Sequence, residues 1–360
     1  MNVHADYSIS KLNTFGVDIK AKYFVEISKE QDLVDFLGDE NLRSLPMFIL
    51  GGGSNTLFIN DFDGVILRIN LLGKEIISED EDTLIVEVGA GEDWPQFVNW
   101  VVEQGLSGVE NLAYMPGTVG AAPVQNIAAY GQTQADTFVS VEAMSLKDGS
   151  KKIFTKDQCK FEYRSSIFKR ELAGDYIITK VRFELSKDPQ FDTNYHSRYS
   201  YESLQKWLTE SATPPYKPKD VANAVTKLRQ FKLPDVKDWG CCGSFFLNPF
   251  VTVEKFKELQ EKIDELQFYP VTEMEYDRID WHDTGKEQIV KIPAGRLLDE
   301  LGWKGKWIGN VGTFERHALC VITKKEASGK EILDYTEAMK KSVMDAYGVE
   351  LISEVRVVKS

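Results

Sequence analysis

Histidine and cysteine are both scarce in this 360-residue chain, with four of each. His4, His196, His282 and His317 are scattered, and Cys159, Cys241, Cys242 and Cys320 show no metal-ligand spacing, so no metal site is expected. The adjacent pair Cys241-Cys242 is awkward for a disulfide, which points to a reduced, cytoplasmic protein. Basic residues are outnumbered, 43 against 56, and the net charge of −13 argues against a general nucleic-acid binder. A small anionic ligand stays open, because charges beyond about 8 Å are screened at physiological salt. No apolar run approaches the roughly 20 residues of a membrane helix, and the N-terminus lacks the charged and apolar regions of a signal peptide. No Gly-x-Gly-x-x-Gly follows the first expected strand, which disfavours an ordinary dinucleotide fold, and no Gly-x-Ser-x-Gly marks a nucleophile elbow.

What is present is ordinary globular composition, 42% hydrophobic and 28% charged, in a chain long enough for two or three domains. Its most telling stretch is Phe48-Ile49-Leu50-Gly51-Gly52-Gly53-Ser54-Asn55-Thr56-Leu57-Phe58. An apolar run ends in glycines that expose backbone N–H groups and permit positive φ, the makings of an anion nest. The bland reading is a tight turn between two strands. A second small-residue stretch at 110–127, containing Pro116-Gly117-Thr118-Val119-Gly120-Ala121, favours one large phosphate-bearing cofactor held between the two.

Hydrophobic patterning predicts strands near 21–27, 47–50, 64–69, 83–91, 136–145, 152–155 and 176–185. Helices are expected at 29–37, at 94–104 behind an Asp93 N-cap, and at 220–230, 252–266 and 331–347. A strand at 318–323 and a closing strand at 351–358, which could rejoin the first part, complete the pattern. Residues 188–218 change character, with aromatic and polar residues followed by Pro214-Pro215-Tyr216-Lys217-Pro218, and read as an insertion with a rigid connector.

Isolated polar groups mark four places where chemistry could sit: Arg164 in Tyr-Arg-Ser-Ser, Ser244 between Gly243 and two phenylalanines, Glu354 in the closing strand, and Arg229 with Lys232 near Pro234. Each has a plain alternative. Arg164 could be half of a structural ion pair, Ser244 a turn hydroxyl, and Glu354 and Lys232 solvated.

Asn13-Thr14-Phe15-Gly16, the triple-glycine stretch, Pro116–Gly120, Tyr163–Ser166, Gly243-Ser244-Phe245-Phe246-Leu247-Asn248-Pro249, Pro293-Ala294-Gly295-Arg296-Leu297-Leu298-Asp299 and Glu354-Val355-Arg356 occur in this order. That series resembles the UDP-N-acetylenolpyruvoylglucosamine reductases of bacterial cell-wall precursor synthesis, in the longer form with a tyrosine loop. The resemblance implies an α+β protein: an FAD-binding fold of the vanillyl-alcohol-oxidase type in two αβ subdomains plus a C-terminal α+β substrate domain. The expected boundaries are 1–70 with 350–360, then 71–215 including the 188–218 substrate loop, then 216–349. It further implies non-covalent FAD reduced by NADPH, and an enolpyruvyl ether of UDP-N-acetylglucosamine reduced to UDP-N-acetylmuramate. A monomer without nucleic-acid or membrane partners is expected.

Carried over residue by residue, Arg164 and Glu354 match the pair at the enolpyruvyl group and Ser244 matches the proton donor. Arg229, Lys232, Asn248 and a loop tyrosine, placed at Tyr201 with Tyr195 and Tyr199 as alternatives, match positions that hold the UDP part. Gly51, Gly52, Gly53, Ser54, Asn55, Pro116, Gly117, Gly120, Ala121 and Arg356 are the expected cofactor contacts. The chain departs from the pattern at Ala128, where glycine is usual, at His317, where glutamine is common, and at Cys241-Cys242. Two rivals remain: a flavin-dependent sugar or aryl-alcohol oxidase, and a non-catalytic UDP-sugar-binding protein. The absence of histidine between His4 and His196 disfavours an oxidase with FAD tethered near the glycine loop.

Overall fold

The computed structural model describes residues 1–189, 191, 204–271 and 289–359. The chain divides into two units, each assembled from separated stretches. One comprises Met1–Tyr7, Ala21–Gly52 and Asp63–Phe231; the other comprises Ser8–Lys20, Gly53–Phe62 and Lys232–Ser360.

In the first unit, Thr83–Gly89 buries Leu84, Val86 and Val88 at alternate positions, as a half-buried strand should, and pairs antiparallel with Tyr176–Ser186. Lys74–Glu79, Phe138–Ser145 and Lys151–Thr155 complete a five-stranded antiparallel sheet. A second sheet runs in the order Asn2–Ser8, Lys20–Ile27, Phe62–Ile69, Met47–Leu50, and its last pair is parallel. The helix Trp94–Glu103 begins where sequence placed it: the Asp93 side chain accepts from the Gln96 N–H, and a proline occupies the first turn. Its Trp94 and Phe97 meet Phe183 of the sheet with ring centroids 5.8 and 5.2 Å apart. These residues belong to one continuous core that reaches the helix Pro218–Lys232 through Val221, Ala224, Val225 and Leu228.

The second unit is built on the sheet Gly240–Ser244, His317–Thr323, Val311–Phe314, Trp307–Ile308, with a short sheet of Phe250–Thr252, Ile289–Lys291 and Tyr269–Pro270. The long helix Gly329–Tyr347 carries a full capping box, Ser328 with Glu331, and ends at Gly348 with φ 63°. The class is α+β, as expected. Two elements are shorter than the pattern predicts. The helix expected over 252–266 is Val253–Gln260, and the later buried residues Ile263 and Leu266 lie beyond its end in irregular chain. The expected closing strand is regular only over Arg356–Val358, which pairs in parallel with Thr56–Phe58. Among the described residues no helix is long and apolar enough to cross a membrane.

Candidate active site

The two small-residue loops meet within the first unit. A Cβ built on Gly52 would lie 2.8 Å from the Gly117 Cα, and one on Gly51 would lie 2.9 Å from Thr118 Oγ1 and 3.2 Å from Ala121 Cβ. Only bare backbone permits that approach at Gly52. The second loop is pinned from behind: the N–H groups of Val119 and Gly120 donate to the Glu92 and Ala90 carbonyls, and those of Ala121 and Ala122 to Thr118. Upstream of it, buried Glu110 accepts from the Gly108 N–H at 2.6 Å and the Val109 N–H at 3.1 Å. Burial pushes its carboxyl above the usual range, while those N–H groups pull the other way. Asn111 Nδ2 donates to the Tyr130 carbonyl, and Arg229 Nε to that of Tyr114.

Arg164 stands at the tip of a two-residue hairpin, closed by Glu162 N–H to Ser165 carbonyl at 3.0 Å and the reverse bond at 3.1 Å. Its φ is 55°, a left-handed conformation costly for a side chain of this size. Its guanidinium donates to the carbonyl of Ala128, the position where glycine was expected, at 3.0 Å. The same guanidinium lies 5.5 Å from the centroid of the Tyr163 ring. Lys169 Nζ bridges Gln125 Oε1 and the Arg164 carbonyl at 2.7 and 3.0 Å.

In the second unit, Asn13-Thr14-Phe15-Gly16 acts as a bracket. Buried Asn13 donates to the Ile9 and Val17 carbonyls and accepts from the Val17 N–H, folding the segment on itself. The Thr14 N–H then holds the Gly53 carbonyl at 3.1 Å, and the Thr14 carbonyl accepts from the Cys241 N–H at 2.9 Å. Gly53 has φ 64°, and a Cβ there would sit 1.9 Å from the Leu12 carbonyl oxygen, so no other residue fits. The bracket thus ties the end of the glycine loop to the strand that carries Ser244.

That strand ends in a bulge at Gly243, whose φ is 71°, before Ser244 pairs with Cys320. The Phe245 carbonyl accepts from the Glu354 N–H at 2.8 Å, and the Leu247 N–H donates to the Ile352 carbonyl at 2.9 Å. Ser244 and Glu354 therefore stand on directly bonded segments. Glu354 is not part of an alternating strand, as sequence suggested, but of an irregular approach bridged to Phe246 through Ser353. Its carbonyl accepts from Asn55 Nδ2 at 3.2 Å, and the Arg356 N–H donates to the Asn55 carbonyl at 3.0 Å. Ser54, Asn55, Ser244, Glu354 and Arg356 thereby belong to one linked group of segments.

Asn248 Oδ1 accepts from the Ala294 N–H at the start of the helix Ala294–Glu300. His317 Nδ1 accepts from the Leu319 N–H, which leaves the ring proton on Nε2. Burial first, and the positive charge of Lys232 second, push the imidazole down to about 4, so it is neutral near pH 7. Tyr195, Tyr199 and Tyr201 lie outside the described residues. Sequence reasoning missed the buried residues Glu162, Asn126 and Gln134 and the half-buried Arg170, the polar group behind the Arg164 turn.

A family model described as an FAD binding domain matches residues 21–153, and one described as the C-terminal domain of UDP-N-acetylenolpyruvoylglucosamine reductase matches residues 235–358. The UDP-N-acetylenolpyruvoylglucosamine reductase of Flavobacterium johnsoniae is 38% identical, over 99% of this chain and 100% of its own. That of Bdellovibrio bacteriovorus is 37% identical, over 98% and 99%. The crystal structure of the Thermus caldophilus UDP-N-acetylenolpyruvylglucosamine reductase aligns with a TM-score of 0.63 over 99% of this chain and 98% of that one. At 21% identity that likeness shows a shared fold.

Proposed function

Since the chain belongs to the UDP-N-acetylenolpyruvoylglucosamine reductase family, we propose that it reduces the enolpyruvyl ether of UDP-N-acetylglucosamine to UDP-N-acetylmuramate for peptidoglycan synthesis. It is an FAD-dependent oxidoreductase with NADPH as reductant. The observation that carries the assignment of roles is the direct backbone bond between Phe245 and Glu354, which joins the segments that bear Ser244 and Glu354.

The residues present fit FAD. Gly51, Gly52, Pro116, Gly117, Gly120 and Ala121 form a cradle of close backbone in which added Cβ atoms at Gly51 and Gly52 would collide. Such a cradle suits a pyrophosphate. Gly53, Ser54, Asn55 and Arg356 are proposed as further FAD contacts. Bound FAD would take a hydride from NADPH and supply one to the terminal vinyl carbon of the substrate.

Every other task falls to side chains. Hydride addition drives charge onto the substrate carboxylate, and the Arg164 guanidinium would bind that carboxylate and stabilise the growing charge, an effect worth about 3–4 kcal/mol for one well-placed donor. Ser244 Oγ would give a proton to the adjacent carbon, which is basic enough in an enolate-like species to accept from a weak acid. Glu354 would orient the substrate carboxylate's partner or, when protonated, donate to it. Lys232, Arg229, Asn248 and Tyr201 would hold the uridine diphosphate part, Lys232 as a point charge beside a neutral His317 that does not compete with it. We assign the protein to the cytoplasm as a monomer, with domains at 1–70 with 350–360, 71–215 and 216–349.

The test is anaerobic. Purified protein is expected to be yellow with releasable FAD, to bleach on adding NADPH, and to regain colour on adding the enolpyruvyl nucleotide. An oxidase would instead need oxygen to recolour, and a binding protein would not bleach.

A further inference from the structure

Behind the Arg164 turn lies a polar cluster that the reaction does not use directly. Glu162, 5% exposed, places its Oε2 2.5 Å from the Arg170 guanidinium. Arg170 also donates to Ser165 Oγ and to the Lys160 carbonyl, both at 3.2 Å, and reaches Glu171 at 3.4 Å. From the other side, Asn126 Nδ2 donates to the Glu162 carbonyl at 2.9 Å, and fully buried Gln134 donates to Asn126 Oδ1 at 3.2 Å. Asn126 has a left-handed φ of 49°. Both residues that close the hairpin, Glu162 and Ser165, are thus gripped by Arg170, and the tip between them carries the strained Arg164.

Stability alone is a poor reason to keep such a cluster. A buried ion pair is commonly no more stabilising than apolar residues of the same volume. A left-handed arginine persists only where its surroundings over-determine it. Resting on the reductase reading, we propose that Glu162 and Arg170 are positioning residues: their ion pair locks the Glu162–Ser165 hairpin in the one conformation that aims Arg164 at the substrate carboxylate.

The proposal assigns the pair to the oxidative half-reaction only. Flavin reduction by NADPH does not involve the enolpyruvyl carboxylate and should not need the pair. E162Q keeps the volume and removes the charge; R170K keeps the charge and removes the forked donor. In each, single-turnover reoxidation by the enolpyruvyl nucleotide is expected to slow about 10- to 100-fold, the scale of a misplacement near 1 Å. Reduction by NADPH should stay within about twofold. In an R164M background the same changes should add nothing further, because there is no guanidinium left to aim. Without any turnover, hydrogen exchange over residues 160–170 should accelerate in both variants.

Equal slowing of both half-reactions, a persistent loss in the R164M background, or an unchanged reoxidation rate would each overturn the proposal. So would failure of both variants to fold, which would assign the pair to stability. The wild-type protein run alongside separates the two readings: if it does not bleach with NADPH, the reductase assignment fails, whatever the pair does.

Discussion

Arg164 stands on a turn gripped by an ion pair and side-chain hydrogen bonds, whereas Ser244 stands on a strand end anchored by Phe245 and Phe246, each about 1% exposed. Their rings meet edge to face at 5.1 Å, and Phe15 lies 6.3 Å from Phe245. The first arrangement holds a strained backbone through directional bonds; the second holds an unstrained residue, next to a glycine that absorbs the bend, through packing. The difference matches the tasks proposed for the two residues. A guanidinium must present a planar fork at a defined angle, and directional supports fix angles. A hydroxyl can rotate to its acceptor, so its strand needs only to be close and dry.

The largest effect should come from the packed side. S244A removes the proposed proton donor without disturbing Phe245 or Phe246, and stopped-flow reoxidation by the substrate is expected to fall about 10³-fold. Flavin reduction by NADPH should be normal; equal loss in both half-reactions would remove Ser244 from its role.

Acid should distinguish the regions next. His317, held at about 4 against its ordinary 6.5, takes up a proton in the unfolded chain before it does in the folded protein. Its neutral form therefore contributes fully above pH 6.5, and that contribution drains away as the pH falls toward 4, by up to about 3 kcal/mol. Denaturant titrations at pH 7 and pH 4 should show this extra acid sensitivity in the wild type and a smaller one in H317Q. Identical slopes would mean that the imidazole is not desolvated in the folded state.

R164G sharpens the contrast further. Glycine adopts φ 55° without strain, which offsets its extra chain entropy and the lost bond to Ala128, so the variant should stay within about 1 kcal/mol of the wild type while reoxidation drops about 100-fold. A marked loss of stability would show that the turn is not strained by its arginine. Smallest is K232A, expected to raise KM for the sugar nucleotide about tenfold with kcat nearly constant. An unchanged KM would take Lys232 out of the site.

Much of this was legible because the relevant signals are local. Asp93 followed by Trp94-Pro95 announces a helix by cap and proline alone, and the structure starts it there. The glycine runs announced a close backbone approach, and Gly52 against Gly117 supplies it. What escaped was set by tertiary partners. Asn2–Ser8 and Lys74–Glu79 show nearly every side chain to solvent and carry no usable alternation, so neither reads as a strand. The stretch before Arg356 alternates like a strand, yet its hydrogen bonds go to Phe245 and Leu247 in an irregular bridge. Tyr163-Arg164 has none of the Asn-Gly chemistry that marks a tight hairpin, and Glu162 and Arg170, eight positions apart in sequence, look like two ordinary surface charges. Only the fold makes them a pair.

The bracket formed by Asn13, Thr14 and Phe15 has a bearing on biosynthesis. Ser8–Lys20 and Gly53–Phe62 leave the ribosome early, but their partners begin at Lys232. At ~5–20 residues per second the wait between Phe62 and Lys232 is roughly 10–30 s. Throughout that interval Leu57 and Phe58, each at most 1% exposed in the finished protein, lack the Val357–Val358 strand they pair with. A nascent chain arrested before residue 232 should therefore be a chaperone client through its N-terminal segments, and a fragment starting at Lys232 should not fold when expressed by itself.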